Sequence, residues 1–167
     1  MIHIRPASIS DIPLIRSLIQ ELADYEREPH SVLITEEQLR RDGFSANAED
    51  GRYFECLIAE SNGAAAGFAL FFPIYSTWRG RSLHLEDLFV RPAFRGQGIG
   101  KALLQKVAAI AAERGCARLQ WDVLEWNKPA IDFYRSLDAT MLDEWRRMRV
   151  TDEALARLAA ADAEVEA

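Results

Sequence analysis

The segment that most restricts what this chain can fold into is FVRPAFRGQGIGKALLQ, residues 89–105. An apolar run ends at Val90-Arg91-Pro92. From Ile99 onward, Ile99, Ala102, Leu103, Val107, Ile110 and Ala111 recur at helical spacing as far as the stop at Gly115. A strand therefore enters a helix through Arg95, Gly96, Gln97, Gly98, Ile99, Gly100 and Lys101. The first turn of a helix has N–H groups without intrahelical partners, and its dipole adds partial positive charge. Glycine permits positive φ and close approach. Such a junction suits a phosphate or pyrophosphate. The same glycines also serve a tight packing turn, and their spacing alone does not separate the two readings.

Two common phosphate motifs are excluded. A P-loop needs glycine five residues before Gly100 and Ser or Thr after Lys101, and this chain has Arg95 and Ala102 there. A dinucleotide fingerprint starting at Gly96 needs glycine at 101, which is lysine.

Around this junction the chain alternates strands and helices. Residues 2–5 read as a strand. Ile12, Ile15, Leu18, Ile19 and Leu22 mark a helix with Ser10 as its cap and Pro13 in its first turn. A second helix is expected from Thr35 to Arg41, stopped by Asp42-Gly43. Residues 53–60, a turn at Ser61-Asn62-Gly63, residues 64–75 and residues 82–90 form an antiparallel meander. After the long helix come a strand at 117–124, a helix capped by Asn127 and reaching Ser136, a strand pair around Thr140 to Val150, and an Ala-rich helical end that frays. The order predicts an α/β fold whose mixed sheet is covered on both sides.

Composition narrows the function classes. The 167 residues suffice for one domain with a real core, and a net charge of -6 disfavours nucleic acid. It is compatible with a cationic substrate. No apolar run approaches the ~20 residues of a membrane helix. The N-terminus lacks the apolar core of a signal peptide, so a cytoplasmic location is expected. Cys56 and Cys116 are isolated and expected as buried free thiols, and His3, His30 and His84 have no ligand spacing, so no metal is expected.

Arg95-x-x-Gly98-x-Gly100 after Val90-Arg91-Pro92 resembles the acyl-CoA pyrophosphate loop of the GNAT superfamily of N-acetyltransferases. Asn127-Lys128-Pro129-Ala130-x-x-Phe133-Tyr134 resembles that family's second signature. The runs YSTWRGRSLHLEDLFV, LEWNKPAIDFY and Glu144-Trp145-Arg146, with ELADYE and DGF nearer the N-terminus, are similar to the diamine (spermidine/spermine) and thialysine branch. The resemblance covers nearly the whole chain. It implies a single acetyltransferase domain over 1–167, with a helical tail from about 151. It also implies a mostly antiparallel GNAT sheet with acetyl-CoA in the split between its central strands.

The resemblance further implies that Leu88, Phe89 and Val90 pair with the pantetheine arm, that Arg95, Gly96, Gln97, Gly98, Ile99, Gly100 and Lys101 seat the pyrophosphate, and that Asn127 and Tyr134 complete the donor site. It gives the acceptor site to Tyr25, Glu26, Trp78, Glu86, Asp87, Glu144 and Trp145, and it suggests a homodimer with residues 145–150 near the interface. Ser76 departs from the acid that polyamine-specific relatives tend to carry, and Asp138 stands where they usually have glycine.

Amine acetylation has two proton problems. An alkylammonium, with a reference pKa of roughly 10.4, must lose a proton, and the departing thiolate must gain one. Glu86 is the candidate base and Tyr134 the candidate acid. Glu86 can equally serve by attracting the ammonium. His84 shares its face on an ideal strand and could assist, although a lone strand histidine is more often a packing residue. Asp87 would point to the opposite face, so both carboxylates reach one site only if the strand bulges nearby. The reading is an acetyl-CoA-dependent N-acetyltransferase for a small diamine, polyamine or thialysine-like amine. A protein N-terminal or lysine acetyltransferase and a non-catalytic acyl-CoA sensor remain alternatives.

Overall fold

Asn62 and Gly63 both adopt positive φ, 52° and 80°, as a two-residue hairpin turn requires, and this turn places Ser61 opposite Ala64. The computed structural model describes residues 1–45 and 52–160. The chain clusters into two compact units, Met1–Asp122 and Val123–Ala167.

The first unit is a five-stranded sheet in the order β1-β2-β3-β4-β5. β1 (Ile2–Pro6), β2 (Glu55–Ser61), β3 (Ala64–Ser76) and β4 (Gly80–Val90) pair antiparallel in sequence, and β5 (Arg118–Gln120) joins β4 in parallel. The helices are α1 (Ile12–Tyr25), α2 (Glu36–Phe44) and α3 (Ile99–Glu113). Ile12, Ile15 and Leu18 of α1 and Leu39 of α2 form one core with Cys56, Ile58, Phe68, Leu70 and Phe89. By strand alternation Leu57, Ala59, Ala69 and Phe71 face the other way. Those residues are buried too, as are Leu103 and Val107 of α3, which packs against β3 and β4. The sheet is thus covered on both faces, as expected.

Three local expectations are corrected here. The start of α1 is not capped by Ser10. The chain turns earlier, through a short 3-10 segment, Ile9–Asp11, where the Ser8 N–H and hydroxyl both donate to Asp11 Oδ2 at 2.7 and 2.8 Å. Arg5 grips the same carboxylate with two hydrogen bonds and holds it well below the usual carboxylate range. Thr35 does cap α2, but Gly43 does not stop it. It lies inside the helix because a Cβ there would collide with the ring of Phe54. Cys56 is buried, whereas Cys116 is only partly so.

The second unit holds α4 (Lys128–Arg135) and α5 (Asp152–Ala160). Asn127 Oδ1 accepts from the Ala130 N–H at 3.4 Å, the expected cap. Asp138 takes φ 62°, the left-handed conformation for which glycine is the usual residue. The expected strand pair around Thr140 to Val150 is not present. Residues 140–150 are exposed and rich in charge, and β5 ends at Gln120 rather than running to Leu124. A strand requires partner backbone for its N–H and C=O groups, which an alternating sequence alone does not supply. The expected fraying end falls on residues 161–167, which lie outside the described residues.

Candidate active site

β4 changes phase at one residue. Phe71 of β3 faces Leu85, whereas Leu70 faces Asp87, so Glu86 is the extra residue of a β-bulge. Below the bulge His84 lies opposite Phe72, and above it Phe89 lies opposite Phe68. Phe72 and Phe68 both belong to the face packed by α1. The bulge therefore brings Asp87 onto the same face as His84. Glu86 stays with them, its Oε2 lying 3.2 Å from His84 Nε2. This is the distortion required for both carboxylates to serve one site.

α1 delivers the third carboxylate. Its last turn carries Tyr25, and Glu26 follows at the C-cap. Burial raises the Asp87 carboxyl, and the like charges of Glu86 and then Glu26 raise it further, to about 7. Burial also raises Glu26 above the usual carboxylate range. Three acids that cannot all ionise comfortably form a site that gains from a cation. The helix end is held in place by Arg91 at the end of β4, which donates to both oxygens of Glu21 and to the Ala65 carbonyl.

The edge of β4 beyond the bulge is open on one side. β5 pairs only with Ser82 to His84, so among the described residues Leu88, Phe89 and Val90 have a strand partner in β3 alone. Phe89 buries its side chain in the core, so only backbone is on offer there. This is the split expected between the central strands.

The chain then turns into α3. Gly96 and Gly98 take φ of 74° and 81°, and a Cβ at either would project into open space. Gly98 is the N-cap of α3, and the first helical bond runs from Ala102 N–H to Gly98 C=O. The N–H groups of Ile99, Gly100 and Lys101 thus precede the helical ladder. A Cβ on Gly100 would meet the Val90 side chain at 3.6 Å, so the helix start lies close against the strand end. An open cradle of backbone donors at a helix N-terminus fits a pyrophosphate. The Arg95 side chain is used differently from the backbone around it. Its Nε donates to the Val90 carbonyl at 3.0 Å, and its guanidinium lies over the Tyr25 ring, 4.6 Å from the centroid. It braces the loop against α1.

Not every candidate is gathered here. Trp78 is 82% exposed at the tip of the β3–β4 hairpin. The strand separating it from the bulge is ~20 Å long, six residues from Gly80 at roughly 3.3 Å each. The structure does not bring it to the carboxylates. In the second unit Tyr134 is half-buried on α4, with the Phe133 ring 5.2 Å away, and Glu144 and Trp145 are exposed. Among the described residues no three His, Cys, Asp or Glu side chains are placed to hold a metal ion, and no helix is long and apolar enough to cross a membrane.

A model of the acetyltransferase (GNAT) family matches residues 15–138. The chain belongs to that family. As a GNAT protein it is an N-acetyltransferase, and acetyl-CoA is the family's acyl donor. It is 43% identical over 168 residues to the thialysine N-epsilon-acetyltransferase of Mus musculus, covering 94% of this chain and 96% of that one. It is 42% identical over 167 residues to the enzyme of the same name from Sus scrofa, covering 93% and 96%. Among solved structures, an aminoglycoside acetyltransferase from an uncultured soil metagenomic sample, in complex with trehalose, superposes with a TM-score of 0.75 at 19% identity, covering 91% and 97%. That likeness shows the GNAT fold alone.

Two features of the site are absent from the sequence reading. Gly67 opposes Val90, and a Cβ there would strike the Phe89 carbonyl. A glycine inside an apolar strand was the available signal. The Arg91–Glu21 pair spans 70 residues and left none. The His84–Glu86 contact was open as a possibility, because alternate strand residues share a face.

Proposed function

We propose that this N-acetyltransferase acetylates the primary amine of a small cationic acceptor, a diamine or a thialysine-like amino acid. The observation that carries the reading is the β4 bulge, which puts Glu86 and Asp87 on one face with Glu26, beside an open strand edge that leads into the glycine seat. The thialysine acetyltransferases similar over nearly the full length support the same acceptor class.

When bound, acetyl-CoA supplies an activated acetyl thioester. The backbone of Leu88 to Val90 and the N–H groups from Gly96 to Lys101 would hold it, with Asn127 and Tyr134 contributing as the family pattern suggests. Asp87 and Glu26 attract the ammonium, and Tyr25 covers the methylene stem. Glu86 takes the proton that the ammonium must lose, directly or through water. Its side chain is 48% exposed, so it is reachable from solvent. Tyr134 holds the proton that the sulfur leaving group requires. Glu144 and Trp145 are retained as further acceptor contacts. Both units act as one acetyltransferase domain, a reading supported by the family match, which runs across the boundary between them. The assembly is a homodimer in the cytoplasm. Trp145, Met148 and Val150 are all exposed in the single chain, an apolar set that a partner would cover.

The test is a thiol-release assay with acetyl-CoA against putrescine, spermidine, thialysine, lysine, a monoamine and a peptide. Turnover confined to the diamines and thialysine-like amino acids is expected. Turnover of the peptide alone would replace the reading with protein acetylation. Glu86→Gln and Tyr134→Phe should each lower kcat by about 100-fold with acetyl-CoA affinity kept. Light scattering at micromolar concentration should give a dimer.

A further inference from the structure

His84 is a buried histidine inside a sheet, 6% exposed, in a strand otherwise lined by Leu83, Leu85 and Phe89. Packing alone is poorly served by a polar ring, and burying an imidazole without partners is costly. Its place is fixed on both sides. Phe72 lies opposite on β3 with ring centroids 5.1 Å apart and a 32° tilt, and Gln120 is its register partner on β5. So clamped, the ring presents Nε2 to Glu86 Oε2 at 3.2 Å.

Glu86 needs such a partner more than an ordinary strand residue does. As the extra residue of the bulge it has no opposite number on β3, and its side chain is 48% exposed. A glutamate in that situation has several rotamers open to it, and ordering it costs side-chain entropy. A rigid buried donor on one oxygen selects the productive rotamer beforehand and leaves the other oxygen for the acceptor or a water.

We propose that His84 is the positioning residue for the Glu86 carboxylate, donating from Nε2–H so that the bulge holds the base in one orientation. This rests on Glu86 being the base. The charged groups around the pair are Asp87 on β4, Glu26 at the end of α1, and Arg118 on β5, in register with Ser82 two residues away.

The experiment compares His84→Phe, His84→Gln, Glu86→Gln and the His84→Phe/Glu86→Gln double variant. Phenylalanine keeps the ring against Phe72 and removes the donor. Glutamine loses the ring and restores an N–H of similar reach. We expect His84→Phe to lower kcat about 10-fold with acetyl-CoA KM unchanged. His84→Gln should recover most of that loss, and the double variant should be no slower than Glu86→Gln. Wild-type turnover in His84→Phe overturns the positioning role and leaves the base intact. Equal impairment of His84→Phe and His84→Gln, with matching losses in Tm, also overturns it by reducing His84 to packing. Unchanged turnover in Glu86→Gln overturns the base itself, and the positioning role with it.

Discussion

Asp87 faces Leu70 across the β3–β4 ladder, while the next β3 residue, Phe71, faces Leu85. Glu86 is therefore extruded from an otherwise continuous ladder. Removing it should leave a regular antiparallel pair, with Asp87 still opposite Leu70. We expect a chain lacking Glu86 to keep its circular dichroism and to stay within about 2 kcal/mol of wild-type stability in urea. Its turnover should fall at least as far as that of Glu86→Gln. A deletion variant that keeps wild-type kcat would show that the bulge serves no catalytic purpose.

The raised Asp87 carboxyl makes stability depend on pH with a definite sign. Below about pH 4 both the folded and the unfolded chain carry this proton, and the contribution to stability is fully present. As pH rises toward 7 the unfolded chain ionises while folded Asp87, at about 7, keeps its proton. Stability is lost across that window and levels off above it. Asp87→Asn removes the effect. Between pH 5 and pH 8 the wild type should lose about 2 kcal/mol more than Asp87→Asn in urea titrations. A cationic acceptor favours the ionised form, so acceptor KM in the wild type should fall over the same range. Parallel stability profiles for the two proteins would refute the burial argument.

Gly98 tests the phosphate seat independently of the carboxylates. Its φ of 81° disfavours any side chain, and an added Cβ would enter open space at the N-cap of α3. Gly98→Ala should cost about 1–2 kcal/mol of stability through backbone strain. It should raise acetyl-CoA KM about 10-fold or more while leaving acceptor KM within about twofold. An acceptor KM that rises equally would mean the loop shapes the amine site instead.

How much of this could be read in the sequence depended on whether a feature carries its own cause. The glycine seat did, because positive φ and helix-start donors are local properties of Gly96, Gly98 and the residues after them. The bulge was half legible. Adjacent Glu86 and Asp87 could serve one site only through a break in alternation, but its place in the ladder depends on pairing with Leu70 and Phe71 across the hairpin. Trp78 rested on the resemblance alone, and the β3–β4 hairpin sets it about 20 Å along the strand from the bulge. The strand pair expected around Thr140 to Val150 is absent because strands depend on a partner, and nothing within the segment names one. Gly43 reads as a helix stop because the ring of Phe54, against which a Cβ would collide, comes from outside the helix.

That last contact gives a stability prediction away from the chemistry. Gly43 lies in the last turn of α2 with Phe54 against its bare Cα, and Phe54 is held in turn edge-on by Phe44, with centroids 6.0 Å apart. On helix propensity alone, Gly43→Ala should stabilise the protein by about 1 kcal/mol. Here the methyl group must displace a ring that is 8% exposed, and overpacking of that kind costs about 1–3 kcal/mol. The collision should win, giving a net loss of about 1–2 kcal/mol with kcat unchanged. Adding Phe54→Leu makes room for the methyl group, so the double variant should be more stable than the sum of its single changes by about 1 kcal/mol. A stabilised Gly43→Ala would mean that the ring yields freely, and that the glycine reflects the end of the helix after all.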